Sequence, residues 1–260
     1  TFGMLRDYSP GPFLAHFHLA DGFATSEQLP RVRFRAAPFM GVMGVAPDRD
    51  FLQLSWDYET RLGLAGCEPS SGASCVPSAE EIARRGLRTI PPRSNGGNID
   101  VRQLTAGSSL YLPVLVPGAL FSAGDAHFAQ GESECVTGLE MGATLVCRFK
   151  LHKGLAEKRR IRDPQFSFRE PSNPPGETGR RFYATTGQCF TYGEEGTHSD
   201  LEAAARNALL NMVRHLEDVY GYDFQQAYLI SSLAADLRIS QAVNVPNFTV
   251  SAVLDLSIFD

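Results

Sequence analysis

Residues 109–134 read SLYLPVLVPGALFSAGDAHFAQGESE: two short β-rich runs divided by Pro117-Gly118, ending in a polar, acid-bearing segment. The stretch on its C-terminal side, CVTGLEMGATLVCRFKL (135–151), is again strand-like. On its N-terminal side, Asn95-Gly96-Gly97-Asn98 reads as a turn and Ile99–Leu104 as a strand. Farther out, PFMGVMGVAP (38–47) reads as a buried strand closed by Ala46-Pro47. Further strands are expected over Phe182–Tyr192, Ala242–Val245 and Phe248–Leu254.

Helical pattern enters late in the chain. Ser199 followed three residues later by Glu202 forms a capping box. Behind it, Leu201, Ala204, Ala205, Ala208, Leu209, Met212, Val213 and Leu216 make an apolar stripe that Gly221 ends. Ala227–Leu233 reads as a second short helix. Another starts at Ser78, with Glu80 and Glu81 in its first turn, and stops before Pro91-Pro92. Residues 66–78 read as a loop and 163–178 as a surface excursion. The expectation is one β-dominated α+β domain over 1–260, with a sandwich- or barrel-like core and one or two docked C-terminal helices.

The bulk numbers bound the function. At 260 residues the chain can bury a large core, and 24 Gly with 16 Pro favour the many turns of a strand-rich fold. A net charge of −5 without long one-sign runs argues against a nucleic-acid partner. The cluster Lys158-Arg159-Arg160 with Arg162 is flanked by Glu157 and Asp163 and reads as a solvated face. Without an apolar run of about 18 residues, no membrane span is expected. The opening Thr1-Phe2-Gly3-Met4-Leu5-Arg6-Asp7 has no leader pattern. Five cysteines (67, 75, 135, 147, 189), without CxxC spacing, are expected as free thiols in a reducing cytoplasm.

Chemistry concentrates in Gly124–Glu134. Taken as a tight hairpin turning at Ala129-Gln130, it places His127 opposite Glu132 and Asp125 opposite Glu134. All four then share one face. Three carboxylates so close are costly unless a proton or a cation intervenes. A divalent metal resolves the conflict, and oxygen with nitrogen ligands suits zinc, manganese or iron. The same spacing also fits a solvated acidic hairpin with an incidental histidine. His16 and His18, two apart in an aromatic stretch, share a face if extended and are weaker ligand candidates.

Longer motifs carry a resemblance. Gly96-Gly97-Asn98-Ile99-Asp100, then Leu104-Thr105-Ala106-Gly107-Ser108, is similar to the GGN-x-D and LT-x-G-S segments of the acetamidase/formamidase family. YLPVLVPGALFSAGDAHFAQGESE (111–134) resembles that family's core, with Glu140 where it carries another Glu. Pro38–Pro47 and Asn244–Phe259 resemble two further stretches of it. The chain departs at Gly131-Glu132-Ser133-Glu134, where the family usually has Gly-Asp-Gly-Glu, and both changes are expected to retune the pocket. The family's additional N-terminal β segment is not seen in this sequence, so a separate or cleaved partner chain is considered.

The resemblance implies hydrolysis of a short carboxamide to carboxylate and ammonia by metal-activated water, in a homo-oligomer, with zinc as the first expectation for the metal. Asp125 and His127 are the expected ligands, with Glu134 third or acting as base and Glu132 an alternative for either carboxylate role. Asp100 completes the coordination or orients a ligand. Glu140 is an acid/base group or a structural partner. Asn98 and Gln130 are expected to bind the amide. Two other readings remain: an N-terminal nucleophile at Thr1, released by self-cleavage, and a binding subunit without turnover.

Overall fold

The computed structural model describes residues 4–5, 8, 10–63, 86–170, 179–190 and 199–259. The strands up to mid-chain are β1 (His18–Ala20), β2 (Phe23–Thr25), β3 (Arg33–Arg35), β4 (Phe39–Gly44), β5 (Gly96–Asn98), β6 (Ser109–Tyr111) and β7 (Ser122–His127). The remainder are β8 (Gln165–Arg169), β9 (Arg181–Gln188), β10 (Ala235–Gln241) and β11 (Thr249–Asp255). Helices are α1 (Arg49–Arg61), α2 (Leu155–Lys158), α3 (Leu201–Tyr220) and α4 (Phe224–Ala234). The strands form three antiparallel sheets, ordered β1-β2-β3, β5-β4-β7 and β10-β11-β9-β8-β6.

The fold is thus β-dominated with few helices, as the sequence implies, and no barrel closes among the described residues. Strand β11, TVSAVLD, lies inside the five-stranded sheet and is buried on both faces. One face carries Val250, Ala252 and Leu254, which pack on Ala204, Ala208, Met212 and Leu216 of α3. The other carries Val253 beside Phe166, Phe182 and Ala184, which meet Met43, Ile99, Val101 and Leu104. The helix layer, the large sheet and the β4–β5 region therefore stack in that order. Gly187 sets the helix-to-sheet distance. A Cβ there would run into the backbone of Ala204 and Ala208. Thr185 Oγ1 also donates to the Ala208 carbonyl at 2.9 Å.

Local chemistry corrects several boundaries. Asp200, not Ser199, caps α3, accepting from Ala203 N at 3.0 Å, and Gly221 ends it with φ 78°. The second C-terminal helix forms with a capping box between Asp223 and Gln226. Helix α1 has no counterpart in the sequence reading. Its cap is Asp48, and its buried face (Phe51, Ser55, Tyr58, Glu59) is half polar, which hides the stripe. Residues 99–104 form no strand, because the chain leaves β5 at Asp100 with φ 47°. The turn there is Arg93–Gly96, whose end residues exchange two backbone hydrogen bonds, not Asn95–Asn98.

Nor does a strand form over 135–151, where residues 143–151 run exposed. The strand expected at Ala242–Val245 is displaced to β10, and β8 occupies part of the expected excursion at 163–178. The start of the helix expected at Ser78, the Cys67–Cys75 loop and Thr1 lie outside the described residues, and residues 86–90, where that helix is expected to end, are not helical. No helix among the described residues is long and apolar enough to cross a membrane.

His215 tests the packing of α3. Its ring stacks on Tyr183 with centroids 3.9 Å apart. Burial, and then Arg159, lower its pKa from 6.5 to about 4 against the opposing pull of Asp218. As pH falls, the unfolded chain takes the proton first. This contribution is therefore intact above pH 6.5 and is lost as pH drops toward 4, by up to about 3 kcal/mol. In urea unfolding, His215→Phe should flatten the stability profile across that window; an unchanged profile would remove His215 from the linkage.

Candidate active site

The site is built around Gly41 in β4. The Gly41 carbonyl accepts from the amides of Ile99 and Asp100, both at 3.1 Å, which ties the end of β5 beneath it. On the other side β7 pairs through Met40↔Ala126 and Val42↔Gly124, which leaves Asp125 beside Gly41. Asp100 and Asp125 both adopt positive φ, 47° and 59°, a region that Asp enters more readily than most residues. The result is a convergence of carboxylates. A Cβ on Gly41 would stand 2.5 Å from Asp100 Oδ1 and 2.6 Å from Asp125 Oδ2.

His127 ends β7 and is fully buried. Phe39 packs edge-on against its ring at 5.1 Å, and the backbone of Gly138 lies so near that any Cβ would collide with the imidazole. Its tautomer follows from one amide. Gln130 Nε2 donates to the Asp100 carbonyl at 3.0 Å, so Gln130 Oε1 faces His127 Nδ1, 2.8 Å away. Nδ1 must therefore carry hydrogen. Nε2 points between Asp125 Oδ1 at 3.4 Å and Glu140 Oε1 at 3.1 Å. It makes no aligned hydrogen bond to either.

The carboxyl groups lie close enough to shift one another. Asp100 is fully buried; Oδ2 accepts from Asn244 Nδ2 at 2.6 Å, and Oδ1 has no partner. Burial, then Glu134 and Asp125, push its pKa up to about 9, partly offset by His127. The imidazole beside Asp125 holds that carboxyl below its usual range. Burial opposes protonation of His127, but Asp125 and Glu140 outweigh it and raise the imidazole to about 11. Two sets of ligand atoms each gather within 4.8 Å: Asp100, Asp125 and His127, and His127, Glu134 and Glu140. His127 is common to both. Such a centre can hold a cation or share protons among its acids.

The hairpin expected over 124–134 does not form. His127 bridges instead to Glu140, with Phe128 N bonded to Leu139 O and Met141 N to Ala126 O. Glu134 still reaches the site by another route. It pairs in parallel with Gln241 at the edge of β10, and its Oε2 lies 3.5 Å from Asn244 Nδ2. Glu132 is displaced from the cluster. It is exposed, accepts from Gln103 Nε2 at 2.6 Å and lies 3.9 Å from both Arg102 and Arg238.

Asn98 stands opposite Val42, on the face of β4 away from Gly41, and donates to the Ile90 carbonyl at 3.1 Å. Gln130 orients His127 and does not face open space. His16 and His18 are exposed and join no ligand cluster among the described residues.

Asn244 and Gln241 were missed in the sequence. Gln241 Oε1 accepts from the amides of Val243 and Asn244, and its Nε2 donates to the Asn247 carbonyl at 2.9 Å. Asn247 Nδ2 in turn donates to the Pro92 carbonyl at 3.0 Å. This clamp places Asn244 over Asp100. The signal available was that Asn244 opens the family-like stretch Asn244–Phe259, but nothing local ties it to residue 100.

The fold and this acid–imidazole centre define a class, and comparison with known proteins gives the family. The acetamidase/formamidase family model matches residues 1–260, and the chain belongs to that family. It is 30% identical to a formamidase of Methylophilus methylotrophus over 99% of this chain and 66% of that protein. It is 31% identical to an acetamidase of Mycolicibacterium smegmatis over 88% and 59%. The chain thus spans somewhat less than two thirds of the length of these relatives. In fold it matches an acetamidase structure from Bacillus halodurans, with TM-score 0.64 and 22% identity over 99% of this chain and 67% of that one. A Yersinia enterocolitica acetamidase gives TM-score 0.59 and 20% identity, covering 93% and 55%.

The two glycines at the site give a direct check. Gly41→Ala and Gly138→Ala should each cost about 1–3 kcal/mol of stability in urea unfolding, because the added methyls overpack the centre. Gly142 has open space around it, and Gly142→Ala should stay within about 0.5 kcal/mol of the parent. Equal effects at all three positions would contradict the tight packing described.

Proposed function

We propose that the chain is the catalytic portion of an amidase that hydrolyses small linear carboxamides, of the formamide and acetamide class, to carboxylate and ammonia. Membership of a family whose curated relatives are a formamidase and an acetamidase supports the reaction class. The observation that carries the site is a pair of buried atoms without an aligned hydrogen bond, Asp100 Oδ1 and His127 Nε2, on residues whose ligand atoms lie within 4.8 Å of one another among the carboxylates. A divalent cation fits that donor set, with zinc first. Asp100, Asp125 and His127 are the residues to hold it, and Glu134 remains beside them. When bound, such an ion supplies a Lewis acid for the amide carbonyl and a water of lowered pKa.

The chain's own residues divide the remaining work. Gln130 fixes the His127 tautomer, leaving Nε2 free to present a lone pair. Asn244 bridges Asp100 and Glu134 and holds both carboxyls in place. Hydrolysis needs a bond from water oxygen to the carbonyl carbon, cleavage of the C–N bond, and transfer of a proton from water to nitrogen. Glu134, buried and next to the cluster, takes that proton and returns it to the departing amine. Glu140, exposed beside His127, is placed to exchange protons with solvent.

Ammonia release from formamide, acetamide and larger amides, before and after chelation with zinc added back, tests this reading. Activity should vanish and return, and His127→Ala should lose zinc and turnover together. Gln130→Ala should weaken zinc binding about 10- to 100-fold without unfolding the chain. Chelator-resistant turnover would move the nucleophile to Thr1, and zinc-loaded protein inert to every amide would favour a binding role.

A further inference from the structure

Strand β10 ends the five-stranded sheet, with β11 on one side. On its other side, among the described residues, only the Glu134 segment pairs, bonding Ser240 O and Ala242 N. Among the described residues nothing pairs with the Ala235–Ile239 part of that edge. An exposed edge is a template for another strand unless something blunts it.

Its sequence, Ala235-Asp236-Leu237-Arg238-Ile239, is complementary to itself. Placed antiparallel to a copy across a two-fold axis centred on Leu237, it sets Leu237 against Leu237. Asp236 then faces Arg238 twice, and Ala235 faces Ile239. Directly opposed residues share a face, and opposite charges in that position favour pairing.

The helix beside this edge points the same way. Leu237 and Ile239 stand opposite Ala252 and Val250, whose side chains meet the helix layer, so they lie on the helix-covered face. Helix α4, FQQAYLISSLA, carries no charged residue. Its buried side holds Ala227 and Ser231, yet Leu229 is 60% exposed and Leu233 78%, with Leu237 53% exposed on the adjoining strand. A surface helix normally turns a polar face to water, and an apolar one is covered.

We infer that β10 and α4 form a two-fold interface with a second copy of this chain, joining two five-stranded sheets edge to edge through Leu237, with reciprocal Asp236–Arg238 pairs and the Leu229/Leu233 ridges packed beside them. The interface is isologous, so each residue contact occurs twice.

Sedimentation equilibrium of the chain at micromolar concentration tests the inference. The parent should run at twice the chain mass. Arg238→Asp or Asp236→Arg should each bring it down to 28.4 kDa by setting like charges opposite each other. The double exchange, D236R with R238D, should restore the dimer, while circular dichroism verifies that all variants fold. A monomeric parent would overturn the inference and leave the edge to the additional length found in the relatives. A dimer indifferent to all three variants would also overturn it, because the contact would then lie elsewhere.

Discussion

Like-charge repulsion beneath the backbone of Gly41 governs this molecule. Asp100, Asp125, Glu134 and Glu140 crowd around one imidazole, and no Lys or Arg pairs with them among the described residues. A fold left to minimise energy would not bury two of these acids together, since each added carboxylate raises the cost of ionising its neighbour. Proton uptake is one form of compensation. Burial and the neighbouring Glu134 and Asp125 raise Asp100, and Asp125 with Glu140 raises His127 against burial, so both groups are driven toward holding a proton, which offsets the charge. A divalent cation would balance the same charge while leaving His127 neutral. The strain at Asp100 and Asp125, both in the left-handed region, belongs to the same arrangement.

The rest of the fold holds that arrangement rigid. The face of the large sheet turned away from α3 is apolar at Phe166, Ala184 and Val253, then becomes polar along Gln188, Thr249 and Gln241. Strand register puts these last three in one row, and Glu134 extends the row by its parallel pairing with Gln241. Gln241 turns the loop that carries Asn244, so the sheet transmits its position to Asp100 through two side chains. Gly187, on the opposite face, brings α3 close enough to fix β9 in place. Site and helix layer are coupled through one central pair of strands, β9 and β11.

How much of this was legible depended on range. The strands at 38–47 and 109–125 and the helix with its Gly221 stop could be read because apolar spacing and turn residues act within a few positions. The carboxylates and His127 stood out because Asp, His and Glu cluster in sequence. Their pairing was misread, since a hairpin at Ala129-Gln130 satisfies local geometry equally well. What selected Glu140 over Glu132 was the bonding of 139–141 to 126–129, together with the tethering of Glu132 by Gln103. Asn244 was out of reach for the same reason: its partner lies 144 residues away. Helix α1 was hidden because Ser55 and Glu59 interrupt its buried face, and Glu59 is buried only through Arg88 and Arg93.

The departures at Gly131-Glu132-Ser133-Glu134 can now be weighed on geometry. The position that carries Glu in place of the family's usual Asp is Glu132, outside the acid cluster, where the longer side chain reaches Gln103 and approaches Arg102 and Arg238. An added methylene there alters a surface contact between three segments and leaves the charge around His127 unchanged. Ser133 replaces Gly without needing glycine's freedom, for its φ is not positive. Glu134 is the residue of this run that enters the site, and it retains the family identity. The altered motif therefore changes how the loop is fastened to β10 and leaves the carboxylates that face His127 untouched.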